Sequence, residues 1–233
     1  PNIMSQNKTN FAVPLAFVGM MFFAIGFALG INSFLIPVLK GALSLPSGVA
    51  YLLLAATFVP FLIFGYPASA TIAKIGYKRT MALSFLIFAV AFILFVLSAK
   101  LENFILFLIA SFVSGAANAY LQASVNPYIT ILGPIESAAK RMSIMGICNK
   151  LAWPVAPLFF ALVVADQTNV QTSDLYLPFY IIIGVFLLLG IISLMAPLPE
   201  VKAAGEDESD TANCPYAANK TSIWQFPHLV LGA

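Results

Sequence analysis

Six runs of about twenty apolar residues dominate this 233-residue chain, and each is long enough to cross the hydrocarbon core of a bilayer as a helix. They fall near residues 11–36, 48–73, 80–99, 103–130, 143–165 and 176–196. In lipid a chain of this kind can satisfy its backbone only as a helical bundle, so the expected fold class is an all-α membrane protein. Composition agrees: 61% of residues are hydrophobic and 9% charged, with a mean hydropathy of +0.96, against about 45–50% and about 25% in soluble domains. The first run is too long for a cleavable signal peptide and no small-residue cleavage site follows it, so it reads as a retained helix. A net charge of +2 gives no reason to expect a nucleic-acid partner. Cys148 and Cys214 make no metal-like spacing and read as free thiols, and nothing in the chain calls for a metal or cofactor.

Lysine and arginine placement sets the expected orientation. One side of the membrane would carry Lys8, Lys74, Lys78, Arg79, Lys140, Arg141, Lys202 and Lys220, whereas the other carries Lys40 and Lys100. The positive-inside rule puts the first set in the cytoplasm, with the amino-terminal tail (1–10) and the segment after the sixth run. The expected organisation is a six-helix bundle over 11–197, a cytoplasmic linker over 198–222 that is acidic and rich in small residues, and the start of a truncated seventh helix over 223–233, opened by Trp224 and Phe226. With Pro1 in place of an initiator methionine, this organisation reads as part of a longer, two-bundle transporter.

Polar residues inside apolar runs are expensive and mark candidate sites. In span four, Asn118, Gln122 and Asn126 recur every four residues and are expected along one helix face, lining a cavity. In span one, Gly30, Ile31, Asn32 and Ser33 followed by Pro37 read as a polar break matching the one at Asn126-Pro127, and paired interruptions of this kind point to a binding site. Gly26 and Gly30 alone suit close helix packing. Span five holds Asn149 and Lys150, the latter expected on the order of 11 Å deep. Lys150 either snorkels to the cytoplasmic interface or faces a cavity as an ammonium. No Asp or Glu lies inside any of the six runs.

The segment Asn126-Pro127-Tyr128-Ile129-Thr130-Ile131-Leu132-Gly133-Pro134, followed by ESAAKR and GICNK, resembles the fucose permease and glucose/galactose transporter branch of the major facilitator superfamily. So do NSFLIP from Asn32 to Pro37, the loop Gly76-Tyr77-Lys78, and KTSIWQFPH from Lys220 to His228. The resemblance covers nearly the whole chain. It implies a twelve-helix, two-bundle fold with a 3+3 inverted repeat in each bundle, of which this chain is the N-terminal half. It also implies transport of a monosaccharide, with H+ or Na+ as the coupling ion and the missing C-terminal six-helix bundle as partner. Relatives resembling fucose permease carry acids where this chain has Ser33 and Gln122. A glutamine at the second position suits the glucose/galactose branch, whereas the loss of the first acid puts the usual proton route in doubt. Asn149 keeps the family's span-five asparagine, and Gly146 replaces its glutamine.

Sugar chemistry agrees with this reading, because an amide matches a hydroxyl's donor and acceptor together. The substrate-binding set expected is Asn32, Ser33, Asn118, Gln122, Asn126 and Asn149, with Lys150 in an electrostatic or coupling role and Lys78 and Arg79 in a conformational loop. Trp153 is placed either to stack on a sugar or to pack. An intramembrane protease would need a nucleophile with a membrane histidine or paired aspartates, and the single histidine, His228, suits neither. A channel would want filter rings. A sugar sensor on a transporter fold remains the second reading.

Overall fold

The structure, a computed structural model, describes residues 12–164 and 168–198. The expected tail (1–10), the linker beyond Leu198 and the start of a seventh helix, with Cys214, Trp224 and His228, lie outside the described residues. Among the described residues there is no strand, and six helices are long and apolar enough to cross a membrane. They are Ala12–Ala42, Ser47–Ile75, Tyr77–Leu101, Phe104–Ile131, Ile135–Val163 and Thr172–Met195, called spans one to six below.

Two of these differ from expectation in ways that matter for the site. Span one does not break at Gly30–Ser33; its helix runs unbroken through Asn32, Ser33 and Pro37 to Ala42. A single internal proline removes one backbone hydrogen bond, and the flanking turns keep theirs. Span five begins earlier than 143, with a 3₁₀ turn at Ile135–Ser137 leading into a helix from Ala138 to Val163. Ala138, Ala139, Lys140 and Arg141 are good helix formers, so the charged loop is largely the first turn of that helix.

The pairing of spans shows the repeat. Span one packs along span five, and span four packs along span two; these are the same joint when spans one to three are exchanged with four to six. With an odd number of spans in each half, the second half runs inverted to the first. Both joints are made by glycine. A Cβ on Gly26 would stand 2.0 Å from the Asn149 carbonyl oxygen, and one on Gly30 would stand 2.6 Å from that of Trp153. A Cβ on Gly115 would stand 2.1 Å from the Thr57 carbonyl oxygen. Close backbone approach of this sort is what holds helices together where lipid removes the hydrophobic drive.

Spans three and six form the remaining self-equivalent pair. Phe85, Phe88, Phe92 and Phe95 run down span three at helical spacing and interlock with Phe179 and Phe186 of span six. Ring centroids lie 5.0 Å apart for Phe88–Phe186, 5.3 Å for Phe92–Phe186 and 5.2 Å for Phe95–Phe179. At one end the pair is tied by the Thr172 hydroxyl donating to Glu102 Oε1 at 2.9 Å and by the Lys100 ammonium 5.8 Å from the Tyr176 ring centre. At the other end Lys78 Nζ donates to the Ala196 carbonyl at 2.8 Å.

Prolines are distributed unevenly. Pro37, Pro60, Pro67, Pro127, Pro154 and Pro157 sit inside spans one, two, four and five, whereas the helices of spans three and six carry none in their interiors. The repeat also fails at one joint. Span three packs closely on span four, but between span one and span six lies an apolar cleft of about 330 Å³, lined among others by Met20, Phe23, Phe27, Ile181 and Val185.

Candidate functional site

The three amides of span four differ in exposure. Asn118 is fully buried, whereas Gln122 and Asn126 are half-exposed. A helix turns once in 3.6 residues, so each step of four over-rotates by about 40° and the row winds from the core toward the rim. Asn118 is also without a hydrogen-bond partner for either amide atom among the described residues. Gln122 and Asn126 emerge beside Pro127, which has no N–H for the carbonyl of Ala123 four residues back.

In span one, Asn32 and Ser33 point different ways. Asn32 is buried and donates from Nδ2 to the Thr57 hydroxyl at 3.2 Å, which in turn donates to the Leu53 carbonyl at 2.8 Å. Ser33 is exposed. Thr57 escaped the sequence reading because nothing in span two marks it; only the crossing at Gly115 brings it to Asn32 and span four.

Span five carries the charge. Asn149 is half-buried and donates from Nδ2 to the Phe22 carbonyl of span one at 3.2 Å. Lys150 is exposed and lies midway along the helix, with roughly 18 Å of helix on either side. The helix starts at Ala138, ahead of the apolar run, so Lys150 stands further from its first turn than the run alone suggests. Its ammonium rests 5.1 Å from the centre of the Trp153 indole. Helical geometry gives span five two unlike flanks: Ser143, Gly146, Lys150 and Pro157 line one, and Ile144, Ile147, Leu151, Leu158 and Leu162 the other. The first suits a wet or protein-covered surface, and the second suits acyl chains.

Below these residues the loop between spans four and five is held by Arg141. It is buried and donates from Nε to the Ile129 carbonyl at 3.0 Å, from Nη2 to Thr130 at 2.9 Å and from Nη1 to Pro134 at 2.8 Å, with a further short bond to the Ser137 hydroxyl. These include the orphan carbonyls that close span four. Gly133, at φ +117°, gives the loop its turn, and a Cβ there would meet Arg141 Nη1 at 3.3 Å. Sequence alone reads Arg141 as one more orientation charge. Lys78 meets the end of span six as described, whereas Arg79 is exposed.

Six apolar helices joined by glycine crossings, with amides and a mid-helix lysine on an otherwise apolar surface, define an integral membrane protein built like half of a transporter. The chain belongs to the Major Facilitator Superfamily, whose family model matches residues 17–231. It is 32% identical over 234 residues to a glucose/galactose transporter of Brucella abortus, covering 98% of this chain and 55% of that protein. It is 22% identical to the L-fucose-proton symporter of Escherichia coli, covering 94% and 54%. In fold it is similar to the crystal structure of FucP in the outward conformation, with a TM-score of 0.70 at 21% identity, over 87% of this chain and 55% of that one. The chain thus spans about half the length of the relatives it matches, as expected for the N-terminal bundle.

Proposed function

We propose that this bundle, joined to a second six-helix bundle, carries a monosaccharide across the cytoplasmic membrane by alternating access, as secondary active transport. The sugar is a hexose, with glucose and galactose the first candidates from the names of the relatives. The observation that carries the reading is the set of half-exposed amides, Gln122, Asn126 and Asn149, inside the long apolar helices of spans four and five. Amides exposed to lipid would each cost several kcal/mol, on the order of 4–8 in an alkane-like medium, so they face a hydrated cavity between two bundles. Hydroxyls of a hexose answer both halves of an amide. H+ or Na+ couples the transport, and the basic end of the bundle, with Lys78, Arg79 and Arg141, lies in the cytoplasm by the positive-inside rule. Lys78 and Arg79 stand in the first turn of span three and not in the expected loop, and in this scheme they change partners there as the cavity opens to one side or the other.

Counterflow of radiolabelled hexoses by the full-length protein in proteoliposomes tests the reading. Gln122→Ala should weaken substrate affinity by about ten- to a hundredfold, since a buried hydroxyl left without its partner costs about 1–3 kcal/mol. Unchanged affinity in folded Gln122→Ala and Asn126→Ala variants would remove these amides from the site.

A further inference from the structure

Lys150 is the one basic side chain that the described residues place in the middle of a span; the others stand at span ends or in loops. Its stem is far shorter than the helix on either side, so the ammonium stays in the middle part of span five. Among the described residues no carboxylate neutralises it. The described carboxylates, Glu102, Glu136 and Asp174, all lie at span ends, and its one close partner is the Trp153 ring. A cation–π contact softens the cost of a bare cation there without cancelling the charge.

The surroundings of the ammonium suit an acidic carbohydrate better than a bare anion. Pro154 and Pro157 have no N–H for the carbonyls of Lys150 and Trp153, four residues before each. The Trp153 carbonyl lies against Gly30, and that of Lys150 loses its usual helical donor to Pro154. Within one turn the helix therefore offers a cation, an aromatic face and the amide of Asn149, whose Nδ2 is held by the Phe22 carbonyl. A carboxylate on a polyhydroxylated ring matches the cation with its charge and the remaining groups with its hydroxyls. One ammonium matches a single negative charge, which favours a carboxylate over a phosphate dianion.

We propose that the transported monosaccharide bears a carboxylate, as a hexuronate does, and that Lys150 is the residue that selects it. This rests on the sugar-transport reading above and changes one substituent of the sugar it names. The test is calorimetric titration of the purified full-length protein with D-galacturonate and D-glucuronate against D-galactose and D-glucose. A hexuronate should bind at least about tenfold more tightly than its parent hexose. Lys150→Met should abolish that preference by weakening the hexuronate about tenfold or more beyond any loss for the parent hexose, and Lys150→Arg, which keeps the charge, should retain most of it. The proposal is overturned if neutral hexoses bind as well as hexuronates to the unmodified protein. It is also overturned if Lys150→Met weakens both equally, which would mean that the lysine pairs with a carboxylate of the second bundle. Binding of neither class would instead bring down the sugar-transport reading itself.

Discussion

Exchange of the two three-helix halves turns the joint between spans three and four into the joint between spans six and one, and the two are built differently. At the first, Phe95 and Phe107 approach to 6.2 Å and Tyr77 and Tyr128 to 6.0 Å, so rings fill the interface near both ends. At the second, the apolar cleft separates the helices, and Met20, Phe23 and Val185 on its rim are substantially exposed. The glycine crossings, one to five and four to two, are alike in both halves. Backbone approach thus follows the repeat, whereas side-chain filling does not. What fixes the architecture is the set of positions where only a hydrogen fits, and the bulky residues distribute themselves around it.

The largest expected effect breaks the filled side. Phe92→Ala, in the ring ladder between spans three and six, should destabilise the bundle by about 3–5 kcal/mol, whereas Phe23→Ala on the cleft rim should cost under about 1 kcal/mol. Thermal melting of purified variants in detergent measures both, and equal losses would mean that the cleft is closed in the assembled protein. Next comes the crossing that the halves share. Gly26→Ala and Gly115→Ala each drive a methyl into a carbonyl of the neighbouring backbone, and each should cost on the order of 3 kcal/mol. Similar losses at the two sites would support the equivalence of the joints. The smallest effect is the control, and its sign is opposite: a Cβ at Gly146 meets nothing within 4 Å, so Gly146→Ala in the helix interior should stabilise by up to about 1 kcal/mol.

Much of this bundle is written in its sequence, because a span is a one-dimensional object. Six apolar runs and the glycines Gly26 and Gly30 can be read without a partner in view. The gaps arise where the partner decides. Asn118 looks equivalent to Gln122 and Asn126 on the page, and only the accumulated rotation of the helix sends it into the core. Gly115 reads as an unremarked small residue until span two crosses it. Arg141 looks like a topology charge because the carbonyls that it closes are 7 to 12 residues away along the chain. Span five runs further back than its apolar run because lysine and arginine are good helix formers and extend the helix to Ala138.

The uneven distribution of prolines has a mechanical consequence. A straight helix resists bending because its hydrogen bonds stretch on the convex side, and a turn in which one bond was never formed resists less. Spans one, two, four and five each contain such a turn, while spans three and six do not and are braced along their length by interlocked rings and at both ends by polar ties. The bundle is therefore a stiff two-helix beam carrying four compliant rods. The amides and the mid-span lysine all ride on the rods, so curvature admitted at a proline displaces these polar groups while the beam keeps its shape.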